Sequence, residues 1–247
     1  MNTAPWPYPR WIAHRGGGTV APENTLAAFR EGARQGWRMA ECDAKLSADG
    51  VAFLLHDATL ERTTSGVGAA AHLTWAELSR LDAGAWHSPA YAGEPPPTLE
   101  AIARWTLANG QLLNIEIKPS PGQDRATGEA VAADADRLWQ GAPVPPLLTS
   151  FKPEALQGAQ SVAPRLPRGL LLDKPWDGWE AVAQALGCVA LVANQNLWDE
   201  ALVAVARARG WRCLAYTVND PAMAERLLAL GLDGLISDRI DSFDPRG

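Results

Sequence analysis

The chain has 247 residues, of which 47% are hydrophobic and 20% are charged, and its formal net charge is −6. This composition is ordinary for a globular protein, and the acidic balance argues against a nucleic-acid partner, because such proteins present a basic face to phosphates. Three isolated cysteines, the lack of an apolar N-terminal segment and the lack of a run of about 18 apolar residues predict a cytoplasmic protein without stable membrane association.

Short apolar runs alternate with longer segments of helical periodicity, a pattern typical of parallel strands joined by crossover helices. The predicted strands are 11–14, 39–43, 51–56, 112–117, 147–150, 169–172, 189–193, 212–218 and 234–237. The main predicted helices lie near 25–35, 98–109, 125–139, 153–161, 178–186, 199–209 and 221–230. The strand count is one more than a closed eight-stranded barrel holds, and such a barrel typically takes about 250 residues. We therefore predict an α/β fold, a TIM (β/α)₈-type barrel, as a single domain over residues 1–247.

The link between the second and third predicted strands explains the extra strand. It spans only residues 47–50, whereas a parallel crossover needs a dozen or more residues, and its Asp-Gly pair is a hairpin signal. If residues 46 and 51 flank the turn, the antiparallel register places Glu41 opposite His56. Residues 57–97 are longer than an ordinary connection and rich in glycine and proline, which predicts a small insertion or lid after the third strand.

Carboxylates cluster on two of the predicted strands. Glu41 and Asp43 are two residues apart, as are Glu116 and Lys118, so each pair points to one face of its strand. Burying three unpaired carboxylates together would cost several kcal/mol per charge, and a bound cation would remove that cost. Oxygen ligands alone favour Mg²⁺ or Ca²⁺. Any one of these carboxylates could instead be a loop cap, and Lys118 could either neutralise Glu116 or bind a phosphate oxygen.

Two histidines lie at the ends of predicted strands. His14 precedes Arg15 and a run of three glycines, which would leave room for a ligand, and His56 ends the third strand. Histidine can act as an acid or a base near neutral pH, although a lone histidine in such a position is more often structural. Asn24 stands just before a predicted helix and could cap it or help line the site, of which capping is the expected role.

Five short motifs occur in a fixed order along the chain. They are His14-Arg15-Gly16, Pro22-Glu23-Asn24-Thr25, Glu41-x-Asp43, His56-Asp57 and Glu116-x-Lys118. Together they resemble the glycerophosphodiester phosphodiesterase family, and the similarity continues more weakly through 149–151, 216–219 and 236–238. The family usually has Trp where Tyr216 stands, which leaves the details of the substrate pocket open.

The resemblance implies hydrolysis of a small-molecule glycerophosphodiester to sn-glycerol 3-phosphate and an alcohol, with one divalent cation, Mg²⁺ or Ca²⁺. It implies His14 and His56 as the acid/base pair, Glu41, Asp43 and Glu116 as metal ligands, and Arg15, Lys118, Phe151 and Tyr216 as substrate-binding residues. Two alternatives stay open. One is a membrane-acting phospholipase with tryptophans such as Trp86, Trp176 and Trp179 at its rim; the other is a non-catalytic binding barrel. The sequence does not discriminate between oligomeric states or head groups.

Overall fold

The computed structural model describes residues 6–246. Its strands are β1 (Trp11–Ala13), β2 (Met39–Leu46), β3 (Ala52–Leu54), β4 (Leu112–Ile117), β5 (Leu147–Ser150), β6 (Arg168–Leu172), β7 (Ala190–Asn194), β8 (Arg212–Tyr216) and β9 (Gly234–Ser237). Its α-helices are α1 (Leu26–Arg34), α2 (Trp75–Leu78), α3 (Leu99–Ala108), α4 (Asp124–Leu138), α5 (Pro153–Val162), α6 (Trp179–Ala185), α7 (Glu200–Ala208) and α8 (Pro221–Ala229).

All strands except β3 form a closed parallel ring. The order is β1-β9-β8-β7-β6-β5-β4-β2, and pairing of Ala13 with Ala40 joins β2 back to β1. Strand β3 lies outside the ring, antiparallel to β2. The fold is therefore a TIM barrel with one extra hairpin strand, which confirms the fold class predicted from the sequence.

Side chains alternate between the two faces of each strand, and the two faces contribute to different apolar cores. Ile12, Met39 and Val192 belong to one apolar cluster with residues of β5, β6, β8 and β9, and only the barrel interior brings those strands together. Their neighbours, such as Trp11, pack in separate clusters with residues of the surrounding helices. Burial of each large apolar side chain contributes about 1.5–3 kcal/mol. The barrel interior thus contains a packed apolar layer.

The hairpin between β2 and β3 differs from the prediction by one residue. Leu46 pairs with Ala52, because the main-chain N–H of the first residue of loop 47–51 donates to the carbonyl of the last, 3.0 Å away. The turn therefore includes residue 51, which the sequence pattern places in the strand. The predicted register, with Glu41 directly opposite His56, is wrong by one residue. The observed register, extended past the end of β3, places His56 opposite residue 42.

Residues 57–97 follow β3 and contain α2 and two 3₁₀ turns, Ala70–His72 and Pro89–Tyr91. Leu60, Ala70 and Leu78 of this segment form a small core with residues of the β3 region. A carboxylate oxygen of Glu94 accepts a hydrogen bond of 3.0 Å from the main-chain N–H of Ala27, in the first turn of α1. The segment therefore packs beside the loop that joins β1 to α1.

The three cysteines Cys42, Cys188 and Cys213 are buried and form no disulfide bond with one another. Burial raises the pKa of both Cys188 and Cys213 to about 12, so these thiols stay protonated near neutral pH. Within residues 6–246, no helix is both long enough and apolar enough to cross a membrane.

Candidate active site

Alternation along β2 and β4 places charged side chains above the apolar layer. Glu41 and Asp43 share the face of Met39, which lies in the interior cluster, as a strand period of two requires. Asp43 pairs in register with Glu116 of β4. The two β2 carboxylates lie within the strand and not at its end, because β2 continues as far as Leu46 to pair with β3.

Glu41, Asp43 and Glu116 form a buried acidic cluster, with one carboxylate oxygen of each lying within 4.8 Å of the others. Burial, reinforced by the charge of Asp43, raises the pKa of Glu41 to about 8 and that of Glu116 to about 7. The structure thus brings together the three residues predicted as metal ligands. Their negative charges are held close enough to oppose ionisation of one another.

Two cations partly offset this charge. The Lys118 ammonium lies 2.8 Å from a Glu116 carboxylate oxygen and 3.4 Å from one of Asp43. The Arg15 Nε atom lies 3.5 Å from the other Asp43 oxygen. Burial alone would raise the pKa of Asp43, but Lys118 and Arg15 outweigh it and hold that pKa well below its usual range. Asp43 is therefore the carboxylate that stays ionised.

Asn24 faces this site and does not cap α1. Its side-chain amide donates to an Asp43 carboxylate oxygen at 2.8 Å, and its carbonyl oxygen accepts from the Asp43 main-chain N–H at 3.0 Å. The cap is instead Thr25, whose hydroxyl accepts from the N–H of Ala28. Asn24 takes a left-handed backbone conformation, with φ of 58°, which is accessible to asparagine. The expected capping role is therefore wrong by one residue, whereas the alternative role, lining the site, agrees with these contacts.

The donor set fits a hard divalent cation. One Glu41 oxygen accepts the main-chain N–H of Arg15 at 3.0 Å, whereas the other is buried without a hydrogen-bond partner among the described residues. A buried carboxylate oxygen without a partner is costly. Because the three carboxylates offer only oxygen atoms, the ion that would satisfy them is of the Mg²⁺ or Ca²⁺ type.

His14 follows β1 and is held by a carboxylate that the sequence analysis did not assign. Its Nδ1 atom lies 2.5 Å from an Asp238 oxygen, and its Nε2 atom lies 3.8 Å from Glu41. Asn219 fixes the second Asp238 oxygen with a hydrogen bond of 2.9 Å. Burial would lower the pKa of His14, but Asp238 and Glu41 outweigh it and raise that pKa. The signal that could have identified Asp238 is its position directly after β9.

The glycine run after His14 serves chain packing. A Cβ atom on Gly18 would come within 2.0 Å of the Asp238 main-chain oxygen, and Gly18 has a positive φ of 56°. The Gly18 N–H also donates to the His14 carbonyl at 2.8 Å. The loop can therefore close tightly against the segment that carries Asp238, which is a reason for glycine in addition to the predicted room for a ligand, since Gly18 also lines a cavity.

His56 has a matching partner in Asp57. Its Nδ1 atom lies 2.7 Å from an Asp57 carboxylate oxygen. The Lys45 ammonium, almost fully buried, donates to the main-chain carbonyls of both His56 and Asp57. Burial lowers the pKa of His56 below its usual value. Lys45 shares its strand face with Glu41 and Asp43, so the period-two pattern could have identified it.

Two cavities flank the acidic cluster. One of about 590 Å³ is lined by His56, Lys118 and Phe151 among others. The other, of about 490 Å³, is lined by His14, Arg15 and residues of the 57–97 segment. The two histidines thus open into different cavities.

Phe151 and Tyr216, predicted to bind substrate, lie together beside the first cavity. Their rings meet edge to face with centroids 5.6 Å apart, and the Lys118 ammonium lies 5.6 Å from the Phe151 ring centroid. The Tyr216 hydroxyl is buried and has no hydrogen-bond partner within the described part of the chain.

Comparison with known proteins gives consistent matches along the chain. Residues 14–242 match the Glycerophosphoryl diester phosphodiesterase family. A glycerophosphodiester phosphodiesterase from Caldanaerobacter subterraneus subsp. tengcongensis is 32% identical over 240 residues, covering 92% of this chain and 93% of that protein.

Solved structures agree with the sequence matches. A phosphodiesterase from Oleispira antarctica, determined in complex with the product sn-glycerol-3-phosphate, has a TM-score of 0.86 and 35% identity, covering 95% of this chain and 96% of that one. A glycerophosphodiester phosphodiesterase from Agrobacterium tumefaciens has a TM-score of 0.79 and 27% identity, covering 95% and 98%. The family match thus spans residues 14–242, and each structural likeness covers 95% of the chain.

Proposed function

The chain belongs to the glycerophosphoryl diester phosphodiesterase family and is a phosphoric diester hydrolase, and we propose that it cleaves glycerophosphodiesters to sn-glycerol 3-phosphate and an alcohol by two-histidine acid/base catalysis. The observation that carries the proposal is the arrangement of His14 and His56. Each has its Nδ1 atom hydrogen-bonded to a carboxylate, and the two histidines line different cavities beside one acidic cluster.

The carboxylates on Nδ1 define what each histidine does. A neutral imidazole that donates from Nδ1 keeps Nε2 as the atom that accepts a proton. In one histidine this atom removes a proton from the nucleophile, and in the other a protonated Nε2 supplies a proton to the departing alkoxide. The positions of His14 and His56 in separate cavities suit a reaction in which these two events occur on opposite sides of the phosphorus.

Glu41, Asp43 and Glu116 would hold one divalent cation, Mg²⁺ or Ca²⁺. When bound, such an ion neutralises negative charge on a non-bridging phosphate oxygen. The unpartnered Glu41 oxygen and the close spacing of the three carboxylates support this assignment. A cytoplasmic location, predicted from the three isolated cysteines, would favour Mg²⁺ over Ca²⁺.

Substrate contacts would come from Arg15, Lys118, Phe151 and Tyr216. The two cations lie beside the acidic cluster, where they can donate charge-assisted hydrogen bonds to a phosphate. The Phe151 ring lines the larger cavity and would meet the organic part of the substrate there, and Tyr216 packs edge to face against it. We further propose that residues 1–247 form one catalytic domain, with 57–97 as its insertion or lid.

Release of glycerol 3-phosphate from a panel of glycerophosphodiesters tests the proposal. We expect turnover of glycerophosphocholine or glycerophosphoethanolamine by the purified protein without liposomes, abolished by chelation and restored by Mg²⁺ or Ca²⁺. Activity that survives thorough chelation would exclude the metal assignment. Cleavage restricted to intact phospholipid in vesicles would favour the membrane-acting alternative, for which Trp86 and Trp176 are partly exposed. Inactivity toward every diester with metal present would favour a binding barrel.

A further inference from the structure

Arg62, in the segment that follows β3, binds two carboxylates that belong to different parts of the barrel. Its Nε and Nη2 atoms donate to the Asp57 carboxylate at 2.6 and 3.1 Å. Its Nη1 and Nη2 atoms donate to the Glu23 carboxylate at 2.9 and 2.8 Å. The planar fork of arginine suits such paired contacts, which a lysine ammonium cannot reproduce.

Each of these carboxylates contacts a residue of the active site. Asp57 binds Nδ1 of His56 at 2.7 Å. Glu23 accepts a hydrogen bond of 2.8 Å from the Arg15 guanidinium, which lies beside Asp43. Hydrogen bonds from Arg62 also hold the pKa of Asp57 well below its usual range. Arg62 therefore connects the loop after β1 with the loop after β3 through two carboxylates.

We propose that Arg62 is a positioning residue, which orients His56 through Asp57 and Arg15 through Glu23 and so sets the two halves of the active site relative to each other. The inference rests on the proposed phosphodiesterase function. Arg62 is 44% exposed, and exposed ion pairs contribute only about 0–1 kcal/mol to stability. Its removal should therefore affect turnover far more than folding.

The decisive variant is Arg62→Gln, with Arg137→Gln as a matched control. Arg137 also bridges two carboxylates, those of Glu100 and Asp134, and is comparably exposed, but it lies on helix α4 and not at the active site. With glycerophosphocholine as substrate, we expect Arg62→Gln to lower kcat/KM by about 10- to 100-fold, the usual effect of removing a partner that orients a functional histidine. Arg137→Gln should leave kcat/KM unchanged, and the two variants should have similar melting temperatures.

Two further variants separate positioning from charge. Arg62→Lys keeps the charge without the fork and should recover little of the lost activity. Asp57→Asn removes the link to His56, so combining it with Arg62→Gln should cost less in kcat than the product of the two single losses.

Each result has a defined meaning. Activity of Arg62→Gln within twofold of the Arg137→Gln control, full activity of Arg62→Lys, or fully multiplicative losses in the double variant would each overturn the inference while leaving the proposed function intact. If the wild-type protein hydrolyses none of the glycerophosphodiesters, the proposed function falls, and the role of Arg62 falls with it.

Discussion

In protein freed of metal by chelation, we expect the free energy of unfolding to fall as the pH rises from 5 to 8. Burial raises the pKa of Glu41 to about 8 and that of Glu116 to about 7, from an ordinary value of 4.5. Over this range the folded protein therefore holds protons that the unfolded chain has released. The stabilisation is fully present below pH 4.5 and is lost as the pH rises through the folded-state pKa values.

The size of the effect follows from Glu41. The interval from 4.5 to about 8 corresponds, at about 1.4 kcal/mol per pH unit, to an upper limit of about 5 kcal/mol. Glu116 lies in the same acidic cluster as Glu41, so its contribution is not simply additive. The raised pKa of His14 acts in the same direction and the lowered pKa of His56 acts against it. The slope should therefore be negative, with a total change of a few kcal/mol.

Urea unfolding at several pH values in the presence of a chelator measures this slope by linear extrapolation. Glu41→Gln cannot ionise and should flatten the curve, whereas Glu129→Gln, an exposed change on α4, should leave it unaltered. Adding Mg²⁺ or Ca²⁺ should restore stability at pH 8, by about 2.7 kcal/mol at a concentration of 100 times Kd. A chelated wild-type protein with no pH dependence, or a Glu41→Gln slope equal to that of the wild type, would refute the reasoning.

Three further predictions concern the histidines. His14→Ala and His56→Ala should each lower kcat by at least about 10²-fold with the circular dichroism spectrum unchanged; near-normal turnover of either variant would exclude its acid/base role. Burial lowers the pKa of His56 below its ordinary value of 6.5, so a base at this position becomes protonated only at a lower pH. The acidic limb of the pH profile of kcat/KM should therefore lie below pH 6.5, and it should disappear in His56→Ala. Asp238→Asn should lower kcat by at least about 10-fold with little change in KM, because Asp238 binds Nδ1 of His14 and so orients its ring. Equal losses in stability and activity would instead indicate a structural role.

Hydrophobic periodicity was sufficient to predict the barrel, because each parallel strand is buried on both faces and each crossover helix is amphipathic. It was not sufficient to fix the hairpin register, which depends on whether residue 51 closes the turn or begins the strand. The same limit applies to Asn24 and Thr25. Both are good cap residues, and only the position of Asp43 in space explains why Thr25 caps the helix while Asn24 turns toward the carboxylate.

The residues predicted for the site and those that were missed differ in their sequence separation. Glu41 and Asp43 share a strand, and a local period of two places them together. His14 and Asp238 are 224 residues apart, and they meet only because closure of the ring brings β9 beside β1. Arg62 reaches Glu23 across 39 residues through a segment with little regular structure. Local patterns therefore predict groups that share one strand, whereas Asp238 and Arg62, which contact the site from distant parts of the chain, are brought to it only when the barrel closes.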